Sequence, residues 1–199
     1  LPLPARSAPA LAALAARYAD VLEGSREEDM PLAEVCHAAA TRRSHLEARV
    51  AFVGADRAAM AGALRRYASG EPAVAEGTVI DGARPRIVFV VPGQGGQWIG
   101  MARELIEREP VFRATIERCE RASRRWVDWS LKKQLHTSPG SSGYRLDDID
   151  VVQPVLLSLA IAWGELWRSF GVEPDAVVGH SMGEVGAAFF AGVLSIEQA

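Results

Sequence analysis

The stretch AVVGHSMGEVGAAFFAGVL, residues 176–194, decides how the rest of the chain is read. Its centre, Gly179-His180-Ser181-Met182-Gly183, has the G-x-S-x-G form. A short β-branched run precedes it and an apolar, small-residue run follows. That order predicts a sharp strand-to-helix corner with Ser181 at its apex. Glycines two before and two after the serine let strand and helix approach closely. The corner also sets the first N–H groups of a helix beside the hydroxyl, where they can stabilise a developing oxyanion. Three fixed positions in five also fit a tight turn with an incidental serine. The flanking strand and helix favour a nucleophile.

A serine hydroxyl needs a base to take its proton. His180 is adjacent, but neighbouring strand residues point to opposite faces, so its ring is expected to turn away and to be packed and hydrogen-bonded. His37 and His45 fall in the N-terminal part of the chain, and His136 borders a polar Gly/Ser loop, HTSPGSSGY. None has a reason to reach Ser181. In strand-turn-helix hydrolases the histidine follows the serine in chain order, which puts the base downstream of Ala199. The chain has no initiator Met, and Ser195-Ile196-Glu197-Gln198 has the form of a capping box opening a helix. Both features suggest a segment of a longer polypeptide.

Working outward, RIVFVV (86–91) is a continuous β-branched and aromatic run, expected of a parallel strand buried on both faces. PGQGGQ (92–97) follows as a loop. Helices are expected from about Met101 to Arg108, from Pro110 to about Arg125, and around Trp129 to Leu135. Pro154 is expected to open another, with Val155, Leu159, Ala162, Trp163, Leu166 and Phe170 packed, ending at Gly171. Strand, helices, strand, helix is an α/β order with crossover connections.

Residues 1–84 read as a separate small α+β unit. Leu1 to Ala5 suits an edge strand. Ser7 caps a helix ending near Gly24, and a second helix carries Leu32, Val35, Cys36 and Ala39. Leu46, Ala48, Val50 and Phe52 alternate as in a strand. Asp56 caps a third helix, closed by Gly70. Residues 71–85 hold two prolines and two glycines without a period, and the boundary is placed there.

The 199 residues are 49% hydrophobic and 24% charged, enough for one or two packed domains. A net charge of −3 gives no general reason to expect nucleic acid or an anionic membrane as partner. Arg65-Arg66, Arg124-Arg125 and Lys132-Lys133 read as solvated faces, with docking of an acidic partner protein as the other reading. Two cysteines, Cys36 and Cys119, offer no disulfide framework and no metal-ligand spacing, as suits a reducing cytoplasm. The longest uncharged run, Ile87 to Ala102, contains Pro92 and four glycines, so no membrane span is expected from it.

Three segments together, VFVVPGQGGQWIGM, DVVQPVLLSLAIAW and VVGHSMGEVGAAFFAGVLS, resemble the acyltransferase domain of modular type I polyketide synthases. The resemblance covers residues 86–199. Residues 1–85 look like the linker that joins the preceding ketosynthase to the acyltransferase. The fold this implies is an α/β-hydrolase-like acyltransferase core, present in its N-terminal part (85–199), behind a small α+β linker domain (1–84). Ser181 would take an acyl group from coenzyme A and pass it to the phosphopantetheine thiol of an acyl carrier protein. The backbone N–H groups of Met182 and Gln94 would form the oxyanion hole. Gln153, Gly95 and His180 would line the substrate side. No bound cofactor or metal is implied. The family's histidine base and carboxylate-binding arginine would lie downstream. DIDVVQ (148–153) looks like the variant that selects methylmalonyl over malonyl units, although those domains often carry glutamine at the position of Met182.

Two other readings compete. A serine esterase would use the same elbow but usually presents a His-Gly-Gly oxyanion loop in place of PGQGGQ. Alternatively, the isolated segment is inert and its first half a spacer.

Overall fold

A computed structural model describes residues 1–73, 75–79 and 84–199. By its internal contacts the chain divides into Leu1–Arg84 and Pro85–Ala199.

In the first unit, β1 (Pro2–Ala5), β2 (Ala48–Ala51) and β3 (Ala75–Thr78) form an antiparallel sheet in that order. Leu3 pairs with Val50 and Ala5 with Ala48, so their side chains share the buried face. The helices are α1 (Ala8–Gly24), α2 (Leu32–Thr41) and α3 (Arg57–Ala68). Ser7 and Asp56 cap α1 and α3 by accepting from Ala10 N and Ala59 N, as their side chains predict. Gly70 ends the third helix at φ 99°. Leu11, Ala15, Ala19 and Leu22 of α1 meet Met60, Ala61 and Leu64 of α3 in one core with Leu3, Val50 and Phe52. Arg57 closes the end of α1, donating to Leu22 O at 2.7 Å and to Met30 O at 2.7 Å.

The strand β3 corrects the reading of residues 71–85 as irregular. Its sequence, AEGT, is exposed at all four positions, so no apolar period marks it. Its order comes from hydrogen bonds to β2. Within the expected boundary, Val74 and residues 80–83 lie outside the described residues.

The second unit pairs β4 (Val88–Val91) with β5 (Ala176–Gly179) in parallel, Val91 opposite Gly179. Between them run α4 (Arg103–Arg108), α5 (Pro110–Ser123), α6 (Leu131–His136) and α7 (Ile149–Ser169); α8 (Gly183–Phe190) follows β5. The core gathers Phe112, Ile116 and Cys119 of α5 with Val151, Val155, Leu159 and Ala162 of α7, plus Leu131, Leu135 and Ile196. The polar loop after α6 is tied down by buried Gln134, which donates to Gly143 O at 2.9 Å and accepts from Arg145 N at 3.0 Å.

Three expectations fail here. The strand β4 is not buried on both faces: Val91 is 4% exposed, whereas Val90 is 69% exposed. Phe89 and Val91 meet the elbow helix, and the whole strand borders an apolar groove of about 600 Å³ shared with Trp163, Trp167 and Phe190. Nor does Pro154 open α7. The helix begins at Ile149, behind Asp148, and carries Pro154 inside its second turn. Proline there costs the hydrogen bond toward Asp150 O. The flanking apolar positions Val151, Val152 and Val155, all buried, hold the turn in place. Trp163 and Phe170, expected on the packed face, stay largely exposed, and only the edge of Trp163 meets Phe112.

By length and composition alone α7 is apolar enough to cross a membrane. Its apolar side is already used as the core of the unit, against α5.

Candidate active site

At the end of β5 the chain turns sharply. His180 N donates to Val91 O at 3.1 Å, extending the strand pairing by one residue. Ser181 then takes φ 55°, the left-handed region. Such a conformation costs a non-glycine residue about 1–2 kcal/mol. Gly183 N and Glu184 N donate to His180 O and Ser181 O, both at 2.9 Å, which starts α8 at once. Ser181 is exposed at the apex.

The two motif glycines are required by close backbone approach. A β-carbon on Gly179 would stand 2.4 Å from Gly183 O. One on Gly183 would stand 2.2 Å from Val91 O and 2.7 Å from Pro92 O. Both obstacles are main chain, which cannot rotate away.

The loop after β4 meets the elbow at Gly93. A β-carbon there would lie 3.1 Å from His180 O, 3.2 Å from His180 Nδ1 and 3.4 Å from Ser181 Cβ. Gln94 is therefore one residue from the nucleophile's flank. Gly95, at φ 131°, continues the bend, its N–H bonded to Gln97 Oε1 at 3.0 Å. The His180 Nδ1 and the Ser181 β-carbon thus both stand beside Gly93, so alternation does not carry the ring away from the serine as expected, and the residue is exposed rather than packed.

Gln153 is half-buried within α7, because the helix starts ahead of Pro154. Leu157 lies against Gly186, and Gly164 against Phe190, so α7 and α8 run in the same direction. Gln153 is one turn before Leu157 on the same face, toward the end of α8 that carries Ser181. His136 is engaged with Lys132 O at 2.8 Å. Among the described residues, no cluster of three or more His, Cys, Asp or Glu could hold a metal ion.

One feature of the scaffold escaped sequence reading. Phe190, at the end of α8, is buried over Gly164 and stacks edge-on with Phe89 and Phe189. Arg168 lies over its ring at 5.3 Å and donates to its carbonyl at 3.2 Å. The same guanidinium reaches Glu165 at 3.1 Å, while its Nε, 3.2 Å from Glu173, is buried without an aligned hydrogen bond. Thus α7 braces the far end of the helix that begins at the serine.

A serine at a positive-φ apex between a parallel strand and a helix is the nucleophile corner of α/β acyl-transferring enzymes. The chain belongs to the acyl transferase domain family, which matches residues 88–199. Residues 1–64 match the family described as CurL-like, PKS C-terminal. The polyketide synthase GfsB of Streptomyces halstedii is 47% identical over 169 residues, 84% of this chain. Erythronolide synthase EryA2 of Saccharopolyspora erythraea is 45% identical over 199 residues, 98% of this chain. This chain spans 3% and 5% of those proteins' lengths. The crystal structure of the acyltransferase domain from module 8 of the salinomycin polyketide synthase superposes with a TM-score of 0.83 at 40% identity. It takes in 98% of this chain and 46% of that one. The α/β fold expected from the sequence is therefore the fold of polyketide synthase acyltransferase domains.

Proposed function

We propose that this chain is part of an acyltransferase that moves an extender acyl unit from coenzyme A to an acyl carrier protein through Ser181. The hydroxyl oxygen attacks the thioester carbonyl. Its proton goes to a base, the carbon–sulfur bond breaks, and coenzyme A leaves as the thiol. The phosphopantetheine thiol of the carrier protein then attacks the serine ester, and the hydroxyl is restored. The strained, exposed placement of Ser181 beside the start of α8 is the observation that carries this reading.

In each step negative charge builds on the carbonyl oxygen. The N–H groups of Met182, at the start of α8, and of Gln94, beyond Gly93, are assigned to receive it. Gln153, Gly95 and His180 are assigned to the substrate side. The base is assigned to a histidine in the downstream part of the parent polypeptide. Losing a general base lowers rates by about 10²–10⁴-fold, so residues 1–199 alone should turn over negligibly.

The segment DIDVVQ supports methylmalonyl over malonyl as the unit selected. A single methyl is worth only ~1–3 kcal/mol in a pocket, so the preference is one that few contacts could set. Residues 1–84 are assigned as the linker from a preceding ketosynthase, a reading supported by the match over residues 1–64. Two free cysteines fit a cytoplasmic location.

The test is to incubate the parent acyltransferase with methylmalonyl-CoA, malonyl-CoA and a carrier protein. Transfer to the carrier, faster from methylmalonyl-CoA, is expected. Hydrolysis of the acyl-CoA without transfer would assign the site to an esterase.

A further inference from the structure

The arginines read from sequence as solvated faces are not spread evenly. Arg118 and Arg121 project from the last turns of α5, and Arg124 and Arg125 follow directly. All four are exposed, and with Ala122 and Glu197 they line one open, polar concavity of about 640 Å³. Four guanidinium groups thus face a single carboxylate there, on a chain whose net charge is −3. Glu197 is one carboxylate against four guanidinium groups, and it accepts from the Ser195 hydroxyl at 2.8 Å. That hydrogen bond first, then one from its backbone, with the nearby Arg118 and Arg125 adding to them, holds its carboxyl below the ordinary range. Of the four, Arg124 has a carboxylate partner, Glu120 at 3.7 Å, which also accepts from Ser130 and from Lys132 N. Cations at a helix C-terminus are favourable, and that accounts for one or two arginines. It does not account for four on one surface.

The concavity also has an aromatic neighbour. Trp126 is 76% exposed, with the Arg125 guanidinium 5.4 Å from its ring centroid. Exposed tryptophan beside clustered arginine is the composition that dominates protein–protein binding energy. Like charges held together repel one another, and a partner bearing carboxylates relieves that repulsion and is steered in by the field.

We propose that Arg118, Arg121, Arg124, Arg125 and Trp126 form a docking surface for the acyl carrier protein that accepts the acyl group, engaging a patch of carboxylates on it. This rests on the transferase reading, since transfer to a protein-borne thiol requires the acceptor protein to dock. The arginines take no part in the chemistry at Ser181. They raise the frequency of productive encounters.

The experiment separates loading from transfer. In the parent acyltransferase, Arg118→Glu/Arg121→Glu/Arg125→Glu is compared with wild type and with the corresponding triple lysine variant. Loading of Ser181 from acyl-CoA is measured without carrier protein, and transfer to the carrier at 50 and 200 mM salt. The expected result is unchanged loading, an unchanged Tm, and transfer kcat/KM lowered about 10-fold or more at low salt. The charge-reversed protein should also lose most of its salt dependence, and the lysine variant should keep most of the rate. Equal transfer rates would overturn the proposal. So would a raised KM for acyl-CoA in loading, which would place the coenzyme's phosphates on these arginines instead. Should the glutamate variant unfold, the triple glutamine variant supplies the same comparison. Failure of wild type to load Ser181 would remove the transferase reading, and the docking surface with it.

Discussion

The Cζ atom of Phe190 lies 2.0 Å from where a β-carbon on Gly164 would sit. The glycine is therefore a seat cut in α7 for the end of α8. Glycine within a helix costs about 1 kcal/mol relative to alanine, so its presence there reflects the fit of the ring. Gly164→Ala gains that propensity but displaces a buried ring held by Arg168. The net effect expected is destabilisation by about 1–3 kcal/mol, as for other overpacked cores. Urea titration of the parent acyltransferase checks it; an alanine variant as stable as wild type would show that Phe190 moves freely.

The bend at Ser181 makes a separate prediction. A non-glycine residue at φ 55° is strained, and glycine is not. Ser181→Gly should therefore be more stable than Ser181→Ala, by about 1 kcal/mol. Both should lose acylation. Comparing the two inactive variants by denaturant midpoint isolates backbone strain from lost chemistry.

Gly183→Ala should cost more than Gly164→Ala. Its β-carbon would meet two carbonyl oxygens of β4 and the following loop, and neither can rotate away. Loss of folding, or of Ser181 loading by at least about 10²-fold, is expected, since a 1 Å misplacement can cost that much. Retained loading would mean that strand and helix do not approach as described.

Cys119 is 6% exposed, and burial pushes its thiol up to about 11 from 9.0. The folded state thus holds its proton more tightly than the unfolded state. This contribution is complete below pH 9 and is lost as pH rises from 9 toward 11, on the order of 3 kcal/mol in all. Alkylation followed by mass spectrometry gives a direct check. At pH 8, Cys36 should react in the native protein, and Cys119 only on unfolding.

The sequence made the elbow legible because its residues have local causes. Gly179, Gly183 and the flanking apolar runs each answer a steric demand that can be stated without coordinates. The caps at Ser7 and Asp56 were legible for the same reason. The strand β3 was not, because AEGT buries no face and is held by partners distant in sequence. The start of α7 was misread because Pro154 signals a first turn, while tertiary burial of Val151, Val152 and Val155 carried the helix back to Ile149. That error also misplaced Gln153. The Gly164–Phe190 seat and the arginine concavity join residues from separate segments, and only folding brings them together.

The most direct measurement is mass spectrometry of the parent acyltransferase after exposure to methylmalonyl-CoA. A single acyl adduct is predicted on the peptide containing Ser181, absent from Ser181→Ala and discharged by carrier protein. An adduct that persists in Ser181→Ala, or one carried by another residue, would contradict the account.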